Sequence, residues 1–351
     1  MKYLFYISKK YSIPIVIPLV KELKKISANY SFYVSDKVRN AFPKIWKKSL
    51  ILNNIQETKK FNPDFVLCPG NFVDFRIPGV KVQLFHGLGV EKASHYKIRH
   101  FFDIYLTSGP YVTKKFSLLQ KKYKYFDVFE TGWPKIDFII NFPTENLHEQ
   151  LNIPLEKKVI LYAPTFSSKM ESVSDLLETI PKIIKKNEFW LFKFHELMNA
   201  NLINELRTNL INKFPNNILI IKNQDITPYL HIADTMLSDT SSVIYEFLVL
   251  DKPVITYQTI ARKDKGINIT EPGQLRAALD SCLQNPNILS KQRKRNIAEI
   301  NPNTNGNISK KIIEKLESTD VKKYPKKNKP LNLFRKLQII YHSIFRKGYL
   351  R

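Results

Sequence analysis

The stretch TMLSDTSSVIYEFLVLDKPVITY, residues 235–257, reads as a short buried strand, a hydroxyl-rich turn at Asp239, Thr240, Ser241 and Ser242, a helix running to Leu250, and a second strand led by Pro253. Strand, turn, helix and strand in that order describe a parallel unit, with the turn at the carboxyl edge of the sheet, where open α/β folds bind nucleotides. A helix N-terminus presents unpaired backbone N–H groups and the positive end of its macrodipole, so phosphate is its natural guest. The plainer alternative is that Ser241 and Ser242 only cap the helix. Either role calls for small hydroxylated residues.

The alternation extends on both sides. Strands are expected at residues 3–7, 30–34, 64–68, 80–85, 103–107 and 125–129, with a helix over 15–26. Residues 141–154 are polar, contain proline and lack periodicity, which places a domain boundary there. The pattern restarts with strands at 158–163, 189–194 and 217–221 and helices over 175–185, 201–212 and 275–283. Two doubly wound Rossmann-like domains, 1–145 and 155–318, facing across a cleft, would make an α/β protein of GT-B architecture. No GxGxxG follows the first strand, against an NAD-type site.

A chain of 351 residues is long enough for two cores. Its 56 Lys and Arg against 31 Asp and Glu give a net charge of +25, which favours polyanionic partners. Nucleic acid is disfavoured, because no helix-turn-helix, zinc-finger or RNP pattern occurs and the basic excess is richest in residues 321–351, with ten Lys or Arg and no acid. In that tail Phe334, Leu337, Ile340, Tyr341, Ile344 and Phe345 recur at helical spacing, while Arg335, Lys336, Arg346 and Lys347 fall elsewhere. A basic amphipathic helix suits an anionic membrane surface; docking on the protein's own core is the alternative. The Lys-rich run VKKYPKKNKP before it favours the membrane. Neither the N-terminal MKYLFYISKK nor residues 13–20 is long enough for a signal peptide or a membrane span, so the cytoplasmic side is expected. Cys68 and Cys282 lie far apart, without metal-ligand spacing.

Chemistry is concentrated in a few loops. His86 follows an expected buried strand in HGLGVEK, beside Gly87 and Gly89, and His195 follows another, just before Glu196. Each suits a general base near neutral pH or is simply a packed or surface histidine; as a pair at corresponding strand ends they would face one another across the cleft. His95, His100, His148, His231 and His342 lack that context and read as surface or structural. Glu246, one helical turn beyond Ser242, is either an exposed helix carboxylate or an acceptor for ribose hydroxyls. No HExxH, GxSxG or Walker pattern occurs, and no protein-bound metal is expected.

Five segments in order, HGLGVEK at His86, TGWPKID at Thr131, LYAPTF at Leu161, KFH at Lys193 and SDTSSVIYEFLVLDKPVITY at Ser238, resemble the CDP-glycerol glycerophosphotransferase family of teichoic-acid polymerases and primases. The resemblance covers roughly residues 80–260. It implies a GT-B enzyme that moves glycerol phosphate from CDP-glycerol, or a related CDP-alditol, to an acceptor hydroxyl on a surface glycopolymer or lipid-linked chain. CMP would be released at the cytoplasmic face of the membrane, with no cofactor beyond the donor. It implies His86 as the base, His195 as stabiliser of the transferring phosphate, Thr240, Ser241 and Ser242 on the donor phosphates, Glu246 on the ribose, and Gly87, Pro164 and Thr165 lining the donor site. Glu196 stands where the family usually has proline, and Ser167 and Ser168 stand where an arginine often follows, so the transferred group is open. A GT-B glycosyltransferase or epimerase using a nucleotide sugar is the alternative.

Overall fold

The computed structural model describes residues 1–223 and 225–345. They form two compact units: Met1–Gly87, Ala93–Asn141 and the chain from Glu299 onward make the first, and Leu88–Lys92 with Phe142–Ala298 the second. The sequence placed residues up to 318 in the second domain; the chain instead returns to the first at Glu299.

The first unit is built on seven parallel strands, β1 (Lys2–Ile7), β2 (Asn29–Val34), β3 (Ile51–Leu52), β4 (Phe65–Cys68), β5 (Val80–Gln83), β6 (Ile104–Thr107) and β7 (Asp127–Glu130), in the order β3-β2-β1-β4-β5-β6-β7. Tyr3 to Ile7 are all buried because helices cover both faces of a central parallel strand. β5 ends two residues earlier than the sequence suggests: Phe85 takes φ of 60°, and that left-handed turn carries the chain out of the sheet at His86.

The second unit has six parallel strands, β8 (Lys158–Tyr162), β9 (Glu188–Phe192), β10 (Ile218–Ile220), β11 (Thr235–Ser238), β12 (Val254–Tyr257) and β13 (Ile267–Ile269), ordered β10-β9-β8-β11-β12-β13. Trp190, Tyr162, Leu237 and Ile255 lie at the centre of its core. The helix expected over 175–185 is two short pieces, Val173–Leu176 and Ile180–Ile183; Pro181 lacks an N–H and stands in the first turn of the second piece, a position that favours a new helix start over continuation of the first. The helix after the Ser-Ser turn is Val243–Leu248 and stops short of Leu250, with Asp251 at φ of 50° turning the chain toward Pro253 and β12.

The TGWPKID segment works as a fastener inside the first unit. Gly132 has φ of 98°, and a Cβ there would lie 2.8 Å from the Ile308 side chain. The Trp133 amide donates to Asn301 Oδ1 at 2.9 Å, and both Asp137 oxygens accept the first amides of the helix Ile308–Glu317, from Ile308 at 2.9 Å and Ser309 at 2.6 Å. A carboxylate on the free amides of a helix start satisfies donors that would otherwise be buried without partners. Gly132→Ala combines a strained φ with a steric clash, so a loss of about 2–4 kcal/mol is expected in urea unfolding. An unchanged midpoint would contradict this account of how the returning chain is held.

The Lys-rich run also has a local role that composition did not reveal. Tyr324 and Lys326 bond Asp127, and Lys329 Nζ reaches Asp103 Oδ1 at 2.6 Å and the Phe101 carbonyl at 2.9 Å. The run is thus a strap bound to the amino ends of β6 and β7. Beyond it the helix Leu333–Phe345 leaves Leu333, Phe334, Leu337 and Tyr341 exposed, Phe334 at 80%. Arg346 and Lys347 lie outside the described residues. Among the described residues no helix is long and apolar enough to cross a membrane.

Candidate functional site

In the second unit β8 and β11 are neighbours, while the chain leaves them toward opposite edges of the sheet. Such a reversal opens a crevice at the carboxyl ends of the two strands. The loop after β8 carries Pro164 and Thr165, and the loop after β11 carries Asp239, Thr240, Ser241 and Ser242, so two segments about 75 residues apart in sequence meet there. Asp239, 1% exposed, joins them. Its carboxylate accepts the Thr165 amide at 2.9 and 3.0 Å, the Ser172 amide at 3.2 Å, the Ser172 hydroxyl at 3.1 Å and the Thr240 amide at 2.6 Å. Burial nevertheless pushes its pKa up to about 6, with the four donors opposing that rise only in part.

Thr165, Pro164 and Thr240 are buried, and Ser241 and Ser242 are half-buried. Ser242 makes no side-chain cap bond to the helix Val243–Leu248, so the capping role considered for it is not realised. Glu246, expected either exposed or on a ribose, is 6% exposed and sits within the buried face of that helix.

Lys92 belongs to the same cluster. Its Nζ donates to Thr165 Oγ1 at 3.4 Å; burial lowers its pKa, with Asp239 and Glu91 acting in the opposite direction. Glu91 anchors this segment: it accepts Lys265 Nζ at 2.7 and 2.9 Å and the Tyr245 hydroxyl at 2.6 Å, and Lys265 is fully buried. A buried pair of this kind persists only when its remaining donors are satisfied, which Thr259 Oγ1 at 3.0 Å does for Lys265. Nothing in the sequence singled out Glu91, Tyr245 or Lys265, because their partners are 154 and 174 residues apart.

His195 lies on the solvent side of this cluster, with its ring stacked on Phe166 at 4.3 Å. Its Nδ1 accepts the Leu197 amide at 3.1 Å, so that nitrogen carries no proton and the neutral ring presents Nε2–H outward. Burial lowers its pKa, Glu196 raises it, and Lys92 and Lys193 lower it further. Lys193 Nζ donates to the Asn223 carbonyl at 2.7 Å. Two lysines, a neutral histidine donor and a hydroxylated turn make a surface suited to a phosphate group.

His86 is in the first unit, just past β5, exposed and 6.0 Å from the Tyr11 ring. Surrounding protein lowers its pKa despite that opening; Arg99 lowers it further and a bond to the Pro69 backbone raises it. Gly87, half-buried, follows it. The loop is braced by Trp133, whose Nε1 donates to the Phe85 carbonyl at 3.2 Å, and by His95, stacked on Phe85 at 4.8 Å. That bracing is a structural role, one of the two readings the sequence left for His95. Burial together with His86, Arg99 and Lys115 brings its pKa down to about 3, so it stays neutral beside His86. Among the described residues no group of three or more His, Cys, Asp or Glu could hold a metal ion.

Comparison with known proteins agrees with this geometry. The chain is 28% identical over 164 residues to the teichoic acid ribitol-phosphate polymerase TarL of Staphylococcus aureus, covering 43% of this chain and 27% of that protein. It is 31% identical over 134 residues to the teichoic acid glycerol-phosphate primase of Bacillus subtilis, covering 37% and 33%. The alignments thus span less than half the length of these curated relatives. Among solved structures, the wall teichoic acid polymerase TagF superposes with a TM-score of 0.66 at 17% identity, covering 92% of this chain and 89% of that one. The UDP-GlcNAc 2-epimerase of Neisseria meningitidis superposes at 0.63 with 18% identity, covering 91% and 100%. Both likenesses establish the GT-B fold. The pattern describing CDP-glycerol:poly(glycerophosphate) glycerophosphotransferases matches residues 86–318, well over half of the chain, and the chain belongs to that family.

Proposed function

We propose that the protein transfers glycerol phosphate, or a related alditol phosphate, from a CDP-linked donor to a hydroxyl of a cell-surface polymer. The observation that carries this reading is the Asp239 junction, which holds the Thr165 loop and the Thr240–Ser242 turn together beside Lys92 at the β8/β11 switch point. In this reading the donor's diphosphate lies against Thr240, Ser241 and Ser242, with Pro164, Thr165 and Gly87 lining the site and Glu246 serving the ribose from within its helix. The acceptor hydroxyl attacks the phosphorus that bears the alditol. A new P–O bond forms, the P–O bond to CMP breaks, and CMP leaves with the bonding electrons. His86, neutral at physiological pH, takes the acceptor's proton, and His195 Nε2–H with Lys92 stabilises charge on the transferring phosphoryl oxygens.

The reaction takes place at the cytoplasmic face of the membrane, with the protein attached peripherally through the exposed apolar side of the helix Leu333–Phe345. The deciding experiment incubates the protein with an acceptor chain and CDP-glycerol, CDP-ribitol or a UDP-sugar, and follows nucleotide release and product mass. CMP release coupled to a product heavier by one alditol phosphate supports the reading. UMP or UDP release, or epimerised sugar, would transfer the site to the nucleotide-sugar class.

A further inference from the structure

The strap that returns to the first unit roofs a pocket of about 400 Å³. Lys81, Lys326, Lys327, Lys329 and Lys336 line it, against a single carboxylate, Asp103. Three of the lysines are engaged: Lys329 on Asp103, Lys326 on Asp127, and Lys81 on the Ile77 and Gly79 carbonyls. Lys336 lies over the Phe75 ring at 5.2 Å, and Lys327 is exposed at the rim. The lining therefore carries several more positive charges than negative ones in a concave space large enough for a phosphodiester. This is a different place from the site above. Lys81 is near the amino end of β5 whereas His86 lies beyond its carboxyl end, about 15 Å along the strand direction. The same segment that forms the roof continues directly into Leu331, Leu333, Phe334 and Leu337, all more than 60% exposed.

We propose that this pocket binds the phosphodiester headgroup of an anionic lipid, with the acyl chains running out along the exposed apolar side of the helix Leu333–Phe345. The inference rests on the peripheral membrane attachment proposed above and adds a headgroup site to it. Apolar side chains alone would bind neutral and anionic bilayers alike. A built cationic pocket at the root of the helix makes attachment selective for anionic lipid and fixes how the first unit stands on the surface. A neutral lipid headgroup gains nothing from a lining with excess positive charge. Among anions, a lipid also satisfies the apolar residues beside the pocket, which a soluble phosphate cannot.

The test uses the full chain in sedimentation with vesicles of phosphatidylcholine alone or mixed with phosphatidylglycerol. Lys327→Glu with Lys336→Glu should weaken binding to the anionic vesicles by about tenfold or more, since each basic residue near such a surface is worth about 1 kcal/mol. CMP release to a soluble acceptor should be unchanged and serves as the folding control. Lys37→Glu with Lys59→Glu alters net charge equally at exposed positions away from the pocket and should cost much less. Equal losses in the two double variants would reduce the effect to overall charge and overturn the pocket, as would unchanged binding of the Lys327/Lys336 variant. If that variant keeps vesicle binding but loses affinity for soluble poly(glycerol phosphate), the pocket belongs to the acceptor chain and the lipid assignment falls. Absence of vesicle binding by the wild-type protein would refute the membrane attachment itself, an outcome distinct from these.

Discussion

Alanine in place of His86 is expected to lower kcat/KM for CMP release by about 10²–10⁴-fold, the usual contribution of a positioned general base, while the melting temperature stays close to that of the wild type. The stability half of the expectation follows from exposure: the side chain stands at the open end of its loop, and the packing there comes from Phe85, His95 and Trp133. The pH profile is a second readout. A histidine whose folded pKa is lowered stays unprotonated further into the acid range, so the acidic limb of kcat/KM should fall below the ordinary imidazole value of about 6.5. A limb centred above 7 would remove His86 from the role of base. His195→Ala should cost rate as well, and His195→Gln should recover part of it, because Gln can again present an N–H where Nε2–H stood. The same lowered pKa values have a stability consequence. For His95, whose folded pKa is about 3, the native state resists a proton that the unfolded chain accepts near 6.5, so its contribution is intact above that pH and is lost as pH falls from 6.5 toward 3.

Asp239→Asn is expected to have the second large effect, on donor affinity and stability together. The carboxylate receives four donors from three places in the chain. An amide offers one acceptor oxygen and turns an NH₂ toward N–H groups that then lose their partner, so a loss of about 3 kcal/mol and a clear rise in KM for the CDP-linked donor are expected. Its titration runs opposite to that of the histidines. With a folded pKa of about 6 against an ordinary 3.8, the native state holds this proton more firmly than the unfolded chain, so Asp239 destabilises least at low pH and the cost grows as pH rises through 6. The Asn variant should therefore lose less stability than the wild type between pH 4 and pH 7. Wild-type-like stability and KM in the variant would mean that the two loops are held by something other than this side chain.

Much of this was visible in residue order. Buried strands such as residues 3–7 and 189–192 are runs of apolar residues that announce a parallel sheet, and turn residues follow such strands at the edge where ligands bind. The Ser-Ser turn was recognisable for the same reason: a strand, a hydroxylated turn and a helix are all local. The misreadings came where local pattern met a distant constraint. The Lys-rich run reads as favouring a membrane surface, and what its sequence does not reveal is that Asp103 and Asp127, some 200 residues earlier, hold two of its lysines. Residues 299–318 read as part of the second domain, whereas the Gly, Trp and Asp of TGWPKID fasten that returning chain to the first unit, and Trp133 also braces the His86 loop.

Period, polarity and turn chemistry thus sufficed for the class of fold, the two sheets and the loops that carry His86, His195 and the hydroxylated turn, because each depends on residues within a few positions of one another. Tertiary structure alone decided which carboxylate ties those loops together, which lysine stands beside Thr165, which nitrogen of His195 keeps its proton, and where the basic tail is anchored. Each of these depends on a burial cost or a hydrogen bond between segments far apart in the chain, and no local pattern records that.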